Sequence, residues 1–291
     1  MDLKNVQTAR GTMEGLIVST GAPPGTSHDR SWLELFPPRA IEWNRLELPL
    51  ENLPAALSGL RILHLSDLHF RRRWPIVYDA LLDRIAADPP DLLLFTGDWV
   101  NNKRNHRPAM PLVRRMIAGF KARIGCFAIH GNHDNYAIGQ ELADSHVTFL
   151  DGRRRLIDTP RGPIELIGFP GKDRIELTAE FMASLPPRAA DVPRIVLSHF
   201  PDHLKRSGGL QADLFLAGHT HGGQICLPDG KPLIWHDALP RPLAKGAHRI
   251  GKTWLVVSRG LGFTGVAIRA NCPPEVVEIV LVPTATTGGL P

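Results

Sequence analysis

Short unbroken apolar runs alternate with stretches of helical periodicity through the first half of the chain. Leu60–Leu65 is such a run and ends at Ser66-Asp67; Asp91–Phe95 ends at Gly97-Asp98; Cys126–Ile129 leads into Gly131-Asn132-His133-Asp134. Runs this short, bounded by turn residues, are buried strands. Between the first two, Val77, Leu81 and Ile85 recur at helical spacing over Ile76–Ala87, and Pro89-Pro90 stops that helix. Between the second and third, Leu112, Val113, Met116, Ile117 and Phe120 mark another amphipathic helix. Strand, helix, strand, helix, strand at short intervals predicts βαβ units with a site at the carboxyl ends of the strands.

The second half reads differently. Val147–Leu150, Arg155–Asp158 and Ile164–Phe169 are expected as short strands forming a second sheet, followed by a helix over Leu177–Leu185. Ile195–Leu197 ends at Ser198-His199, and Leu214–Ala217 ends at Gly218-His219-Thr220-His221. Trp254–Val257 and Val276–Val282 complete the β-rich half. Upstream, Ala40–Leu48 alternates apolar and polar residues and reads as an edge strand. Residues 1–38, rich in Gly, Pro, Ser and Thr, are expected to be a loose extension; 39–283 form the folded body and 284–291 a frayed tail. Two packed sheets flanked by helices is the architecture, in the α/β class.

Composition narrows the class without naming a function. The 291 residues suit one large α/β unit, and no apolar run approaches the ~18 residues a membrane span needs. Met1–Arg10 is polar and shows no secretory pattern, so the expectation is a cytoplasmic protein. Cys126, Cys226 and Cys272 are scattered, which fits a reducing compartment and no disulfide framework. The formal net charge of +5 admits nucleic acid, an anionic membrane surface or a phosphorylated substrate as partner. Its distribution is more informative: Arg71-Arg72-Arg73-Trp74 follows Asp67 and His69, and Lys103-Arg104-Asn105-His106-Arg107 follows Asp98. Two basic loops beside two acidic ones make a mouth for an anion. Trp32, Leu33, Phe36 and Trp74 pack against the body or touch a membrane surface peripherally, packing being the expected use.

A polar cluster after one strand is ordinarily a turn. Here five strand ends carry one. Together they supply Asp67, His69, Asp98, Asn132, His199, His219 and His221. Carboxylate, imidazole and amide oxygen without thiolate suit Mn, Fe or Zn, and seven donors suit two ions if one carboxylate bridges.

Asp67-Leu68-His69, Gly97-Asp98, the Asn132-His133-Asp134 stretch, Ser198-His199 and Gly218-His219-Thr220-His221 resemble, in order, the five motifs of the calcineurin-like metallophosphoesterase superfamily. The resemblance implies a four-layer α/β/β/α sandwich of two mixed sheets. It implies a first divalent ion on Asp67, His69 and His221, and a second on Asn132, His199 and His219, with Asp98 bridging. His133 is then the catalytic proton-handling group, oriented by Asp134. The implied reaction is phosphodiester or diphosphate hydrolysis by a metal-bridging hydroxide, with ions ~3.5–4 Å apart. Arg72, Arg73, Arg104 and Arg107 are candidates to clamp a further phosphate, and His203, close to His199, to approach substrate. Gly222-Gly223-Gln224 and Asn271-Cys272-Pro273-Pro274-Glu275 are similar to a bacterial branch of phosphodiesterases tied to the envelope, including a UDP-2,3-diacylglucosamine hydrolase. A nuclease and a non-catalytic interaction module on the same fold are the alternatives; no obligate protein partner is evident.

Overall fold

A computed structural model describes residues 6–9, 11–18, 33–170, 180–207, 210–235 and 237–284. In chain order its strands are β1 (Gln7–Ala9), β2 (Thr12–Val18), β3 (Leu33–Leu35), β4 (Ala40–Leu50), β5 (Arg61–Leu65), β6 (Leu92–Phe95), β7 (Gly125–Ala128) and β8 (Val147–Phe149). There follow β9 (Arg153–Thr159), β10 (Gly162–Gly168), β11 (Arg194–Leu197), β12 (Leu214–Ala217), β13 (Gly246–Ile250), β14 (Thr253–Val257), β15 (Ile268–Ala270) and β16 (Glu275–Pro283). The helices are α1 (Val77–Ala87), α2 (Met110–Gly119), α3 (Ala137–Glu141) and α4 (His203–Arg206).

One seven-stranded sheet runs β2-β4-β16-β5-β6-β7-β8 and the other β1-β13-β14-β12-β11-β10-β9, both mixed. Within each, a parallel trio carries the site: β5, β6 and β7 in the first, β11, β12 and β14 in the second. The runs look continuously apolar because both faces are covered, and the two-residue period sorts them into layers. Leu92, Leu94 and Phe127 meet Ile195, Leu197, Leu214 and Leu216 between the sheets. Leu93, Phe95 and Cys126 face α1 and α2, through Val77, Leu81, Val113 and Met116. Val196, Phe215 and Leu255 face the opposite outer layer, which includes Leu204 of α4. This is the four-layer arrangement. Each fully buried aliphatic side chain contributes ~1.5–3 kcal/mol, so the layering rests on many small terms.

The amino-terminal stretch differs from expectation. Residues 1–38 are not simply loose: β1 pairs with β13 and β2 with β4, so each sheet has an edge built from them. For the same reason β4 is interior, held antiparallel by β2 and parallel by β16. Val147–Phe149 closes the first sheet beside β7, and β16 enters that sheet between β4 and β5, where the sequence placed both in the second. The helix expected over Leu177–Leu185 is helical at 180–183, and 177–179 lie outside the described residues, as do 285–291 of the tail and Trp32. Among the described residues no helix is long and apolar enough to cross a membrane.

Candidate metal centre

Each site residue follows the end of a strand, and at five of the seven the backbone reverses hand. Eight non-glycine residues among those described have positive φ, and five of them are Asp67, His69, Asp98, His219 and His221. A left-handed residue is disfavoured for an L side chain, and such strain persists where the surroundings over-determine it. Here the surroundings are a zipper of loop hydrogen bonds. Asp67 N–H donates to Gly97 O at 2.9 Å, His69 N–H to Asp98 O at 3.0 Å, and Gly262 N–H to Asp67 O at 2.6 Å. Two glycines let the loops close. A Cβ at Gly131 would overlap Asp98 Oδ1 and the Asp98 backbone nitrogen, and one at Gly218 would overlap Ser66 Oγ and Asp67 Oδ2.

The seven side chains converge on two adjacent points. At the first, His69 Nε2 and His221 Nε2 face one another at 3.0 Å, and Asp67 Oδ1 lies 3.8 and 3.5 Å from them. At the second, Asn132 Oδ1 lies 2.9 Å from His199 Nε2 and 3.0 Å from His219 Nδ1. Asp98 Oδ2 is 3.3 Å from His69 Nε2 and 3.3 Å from His199 Nε2, so one oxygen serves both points. His199 Nδ1 is 2.8 Å from Thr96 O and donates to it, which leaves Nε2 as the nitrogen with a free lone pair. Lone pairs aimed at lone pairs call for a cation, a proton or a metal ion, between them; Asn132 and His219 are half-buried and the other five side chains are buried. The donor set, nitrogen and oxygen without sulfur, fits two divalent ions of the Mn, Fe and Zn type.

Electrostatics follow from the same geometry. Burial pushes His69 and His199 down, but the Asp98 and Asp67 carboxylates, Asp98 foremost, together more than reverse it, and both imidazoles are raised to about 9. Burial raises Asp98, and the adjacent His199 and His69 hold it well below the usual carboxylate range. His221 is lowered well below its ordinary value by burial, with His69 and Arg269 adding to the effect.

His133 and Asp134 have separate tasks. The His133 backbone N–H donates to Asp98 Oδ1 at 2.8 Å, and its Nδ1 is 2.9 Å from Asn101 O. A ring nitrogen of His133 lies within 4.8 Å of donor atoms of His69 and Asp98, which places the imidazole at the mouth of the centre. Asp134 does not orient that imidazole. Its buried carboxylate instead accepts the backbone N–H groups of Asp98 (2.8 Å), Gly131 (2.8 Å) and Val100 (3.1 Å). It ties the β6 and β7 loops together; burial and the nearby Asp98 raise it to about 6.

The expected anion-binding residues divide. A cleft of about 640 Å³ beside Asp134 is lined by Lys103, Arg104, Asn105, His106, Arg107 and Asn135. Lys103 Nζ donates to Asn132 O at 3.1 Å, which joins the cleft to the metal centre. Arg72 and Arg73 are exposed and do not line it. His203 is fully buried, its Nδ1 2.9 Å from Ser198 Oγ and its ring packed on Phe169 and Phe200, so it is a core residue and not a substrate contact. One contributor had no local sequence signal. Arg269, fully buried, reaches the carbonyls of Gly262 and Arg259, and its Nη2 lies 3.2 Å from His221 Nδ1. Lys103 sits in the expected basic loop but was not distinguished from its neighbours.

Comparison with known proteins agrees with this geometry. Residues 60–223 match the family model described as calcineurin-like phosphoesterase. The phosphodiesterase YaeI of Escherichia coli (strain K12) is 31% identical over 91% of this chain and 97% of its own length. The UDP-2,3-diacylglucosamine pyrophosphatase LpxG of Chlamydia trachomatis serovar D is 29% identical over 84% and 90%. The metallophosphoesterase YkuE of Bacillus subtilis (strain 168) is 28% identical over 85% and 87%.

Proposed function

The chain belongs to the calcineurin-like phosphoesterase family and is a metal-dependent phosphoric ester hydrolase; we propose that it uses two divalent ions bridged by Asp98 to cleave a small phosphodiester or diphosphate. The observation that carries the two-ion reading is the single Asp98 oxygen 3.3 Å from both His69 Nε2 and His199 Nε2. Bound at those points, such ions supply Lewis acidity toward a phosphoryl oxygen and an activated water.

The chain's own residues supply the rest. Asp67, His69 and His221 hold one ion; Asn132, His199 and His219 hold the other. His133, fixed through Nδ1 by Asn101 O, presents its second ring nitrogen to the mouth, where the imidazolium form donates a proton to the leaving oxygen or a hydrogen bond to the phosphoryl group. Asp134 acts at one remove by fixing the Asp98 and Gly131 backbone. Lys103, Arg104 and Arg107 line a cleft next to the ions, where guanidinium and ammonium groups bind a second phosphate. That arrangement supports a diphosphate-linked substrate, and the name of the chlamydial relative supports a nucleotide-activated acylated sugar such as UDP-2,3-diacylglucosamine. Three free, buried cysteines support a reducing, cytoplasmic setting.

The test is a substrate panel with the Mn-loaded protein: UDP-2,3-diacylglucosamine, a UDP-sugar without acyl chains, and single-stranded DNA. Release of UMP from the diacylated substrate, with at least about tenfold preference over the others, supports the reading. Preferential cleavage of DNA replaces it with the nuclease.

A further inference from the structure

The aliphatic side chains left in solvent gather on one surface. Seven of the ten exposed large hydrophobic residues among those described fall on β3, on the 225–235 hairpin and on the 266–270 segment. Strand register shows why. In the two-stranded β3–β15 ribbon, Leu35 lies beside Ile268 and Leu33 beside Ala270. Ala270 is in turn bridged to Ile225, and the hairpin folds back with Cys226 opposite Pro232 and Leu233 N–H donating to Ile225 O at 3.0 Å. Alternation along these four extended segments puts one set of side chains outward and the other inward. The inward set is Arg269, Gln224, Cys226 and Pro232, all buried. The outward set is aliphatic, led by Leu35 (53% exposed), Leu233 (51%) and Leu227 (42%), with Ile234 (64%) and Val266 (57%) at its margins. The inward Arg269 contacts His221, so this ribbon is the outer wall of the half-site made by Asp67, His69 and His221.

We propose that this ribbon face is a docking surface for an anionic lipid bilayer. Exposed aliphatic side chains gathered on one face in this way mark an interaction site. Its charge favours a lipid occupant. Arg71 lies over the Phe36 ring at 5.8 Å and reaches Gly265 O at 3.4 Å, which brings the Arg71–Arg73 loop to the edge of the face with Arg72 and Arg73 exposed. Asp229, at the hairpin tip, is paired with Lys231 at 2.7 Å. An aliphatic patch rimmed by guanidinium groups matches acyl chains below and phosphate headgroups at the rim. Protein-binding hot spots instead centre on Trp, Tyr and Arg, and among the described residues the exposed large hydrophobic side chains of this face are all Leu, Ile or Val. Trp74 and Phe36, for which packing was the expected use and membrane contact the alternative, are packed: Trp74 on Phe70 under Arg115, Phe36 on Phe263. Arg72 and Arg73 thereby acquire a place that the cleft does not give them.

The proposal concerns binding and does not depend on which ester is cleaved. Its test is vesicle flotation of the full chain at moderate salt, with phosphatidylglycerol/phosphatidylethanolamine vesicles against phosphatidylcholine alone. Wild type is expected to float with the anionic vesicles and at least about tenfold less with the neutral ones. Leu35→Ser/Ile234→Ser is expected to lose flotation about tenfold, Arg72→Glu/Arg73→Glu to lose the anionic preference, and Leu156→Ser, on exposed β9, to behave as wild type. Unchanged thermal melting of each variant excludes misfolding as the cause. No wild-type flotation on either vesicle overturns the proposal, as does flotation that the face substitutions leave intact. A lipid-free dimer dispersed by Leu35→Ser/Ile234→Ser overturns it too, by assigning the face to a second copy of the chain.

Discussion

The Asp134 carboxylate accepts the backbone N–H of Asp98 at 2.8 Å, so the acidic residue of the Asn-His-Asp stretch braces the Asp98 loop and leaves its neighbour His133 to Asn101 O. The two side chains therefore fail differently when removed. Asp134→Ala frees three N–H groups in the β6 and β7 loops and is expected to lower metal affinity about 10–100-fold. His133→Ala is expected to keep its metal and lose about 10²–10⁴ in kcat. Metal content by plasma emission beside turnover separates them; equal metal loss in both variants would refute the division.

Gly131 touches Asp98 with no room for a methyl group, and Gly218 touches Ser66 and Asp67 in the same way. Gly131→Ala must push the Asp98 loop away from His69 and His199. We expect at least about tenfold weaker metal binding with the cooperative melting transition retained. Gly251→Ala, which meets nothing within 4 Å but has positive φ, is the control: a small stability loss of about 1 kcal/mol and normal metal binding.

Arg259, its side chain 12% exposed, is held by buried Glu275 at 2.6 Å and buried Glu42 at 2.7 Å, beside the loop that carries Gly260 against Asp67. Removing the guanidinium takes the counter-charge from two buried carboxylates, Glu275 keeping the Asn44 amide and the residue 259 N–H, so Arg259→Met is expected to cost about 3–5 kcal/mol at pH 7. Burial raises Glu275, and Arg259 more than offsets this, holding it below its ordinary 4.5. A depressed carboxylate contributes stability above its unfolded pKa and loses it as pH falls through the folded one. The melting-temperature gap between wild type and variant should therefore be widest near neutrality and shrink below pH about 4.5. A gap that widens in acid would contradict the pairing.

The convergence of the seven candidate ligands was legible because each lies at the end of a short apolar run, where local sequence alone marks the turn. The layers were legible for a related reason: runs such as Leu92–Phe95 are apolar on both faces, and only a sheet covered on both sides permits that. What escaped was non-local. Thr12–Val18 carries a glycine and adjoins a Gly/Pro-rich stretch, and only pairing with β4 makes it a strand. The place of β16 depends on its pairing with β5, about 200 residues earlier in the chain. Arg269 meets His221 across 48 residues with no motif between them. His203 misled because closeness in sequence to His199 says nothing of which side of a four-residue helix faces the core.

Lys103, Arg104 and Arg107 line the cleft next to Asn132, which makes its charge measurable. Arg104→Glu/Arg107→Glu is expected to raise KM for a diphosphate substrate about tenfold or more, with kcat changed far less. The same pair should leave KM for bis(p-nitrophenyl) phosphate, which has one phosphate, nearly unchanged. Equal effects on both substrates would mean that the cleft provides general charge and not a second phosphate site.

The bridging of two ions by Asp98 is tested most directly by counting metal in wild type and Asp98→Ala after loading with Mn and gel filtration, beside hydrolysis of bis(p-nitrophenyl) phosphate. The account predicts two ions per chain in the wild type, fewer than one in the variant, and turnover lower by at least about 10²-fold. A wild type that holds no metal and shows no turnover with Mn, or an Asp98→Ala variant that keeps both ions and its rate, would contradict it.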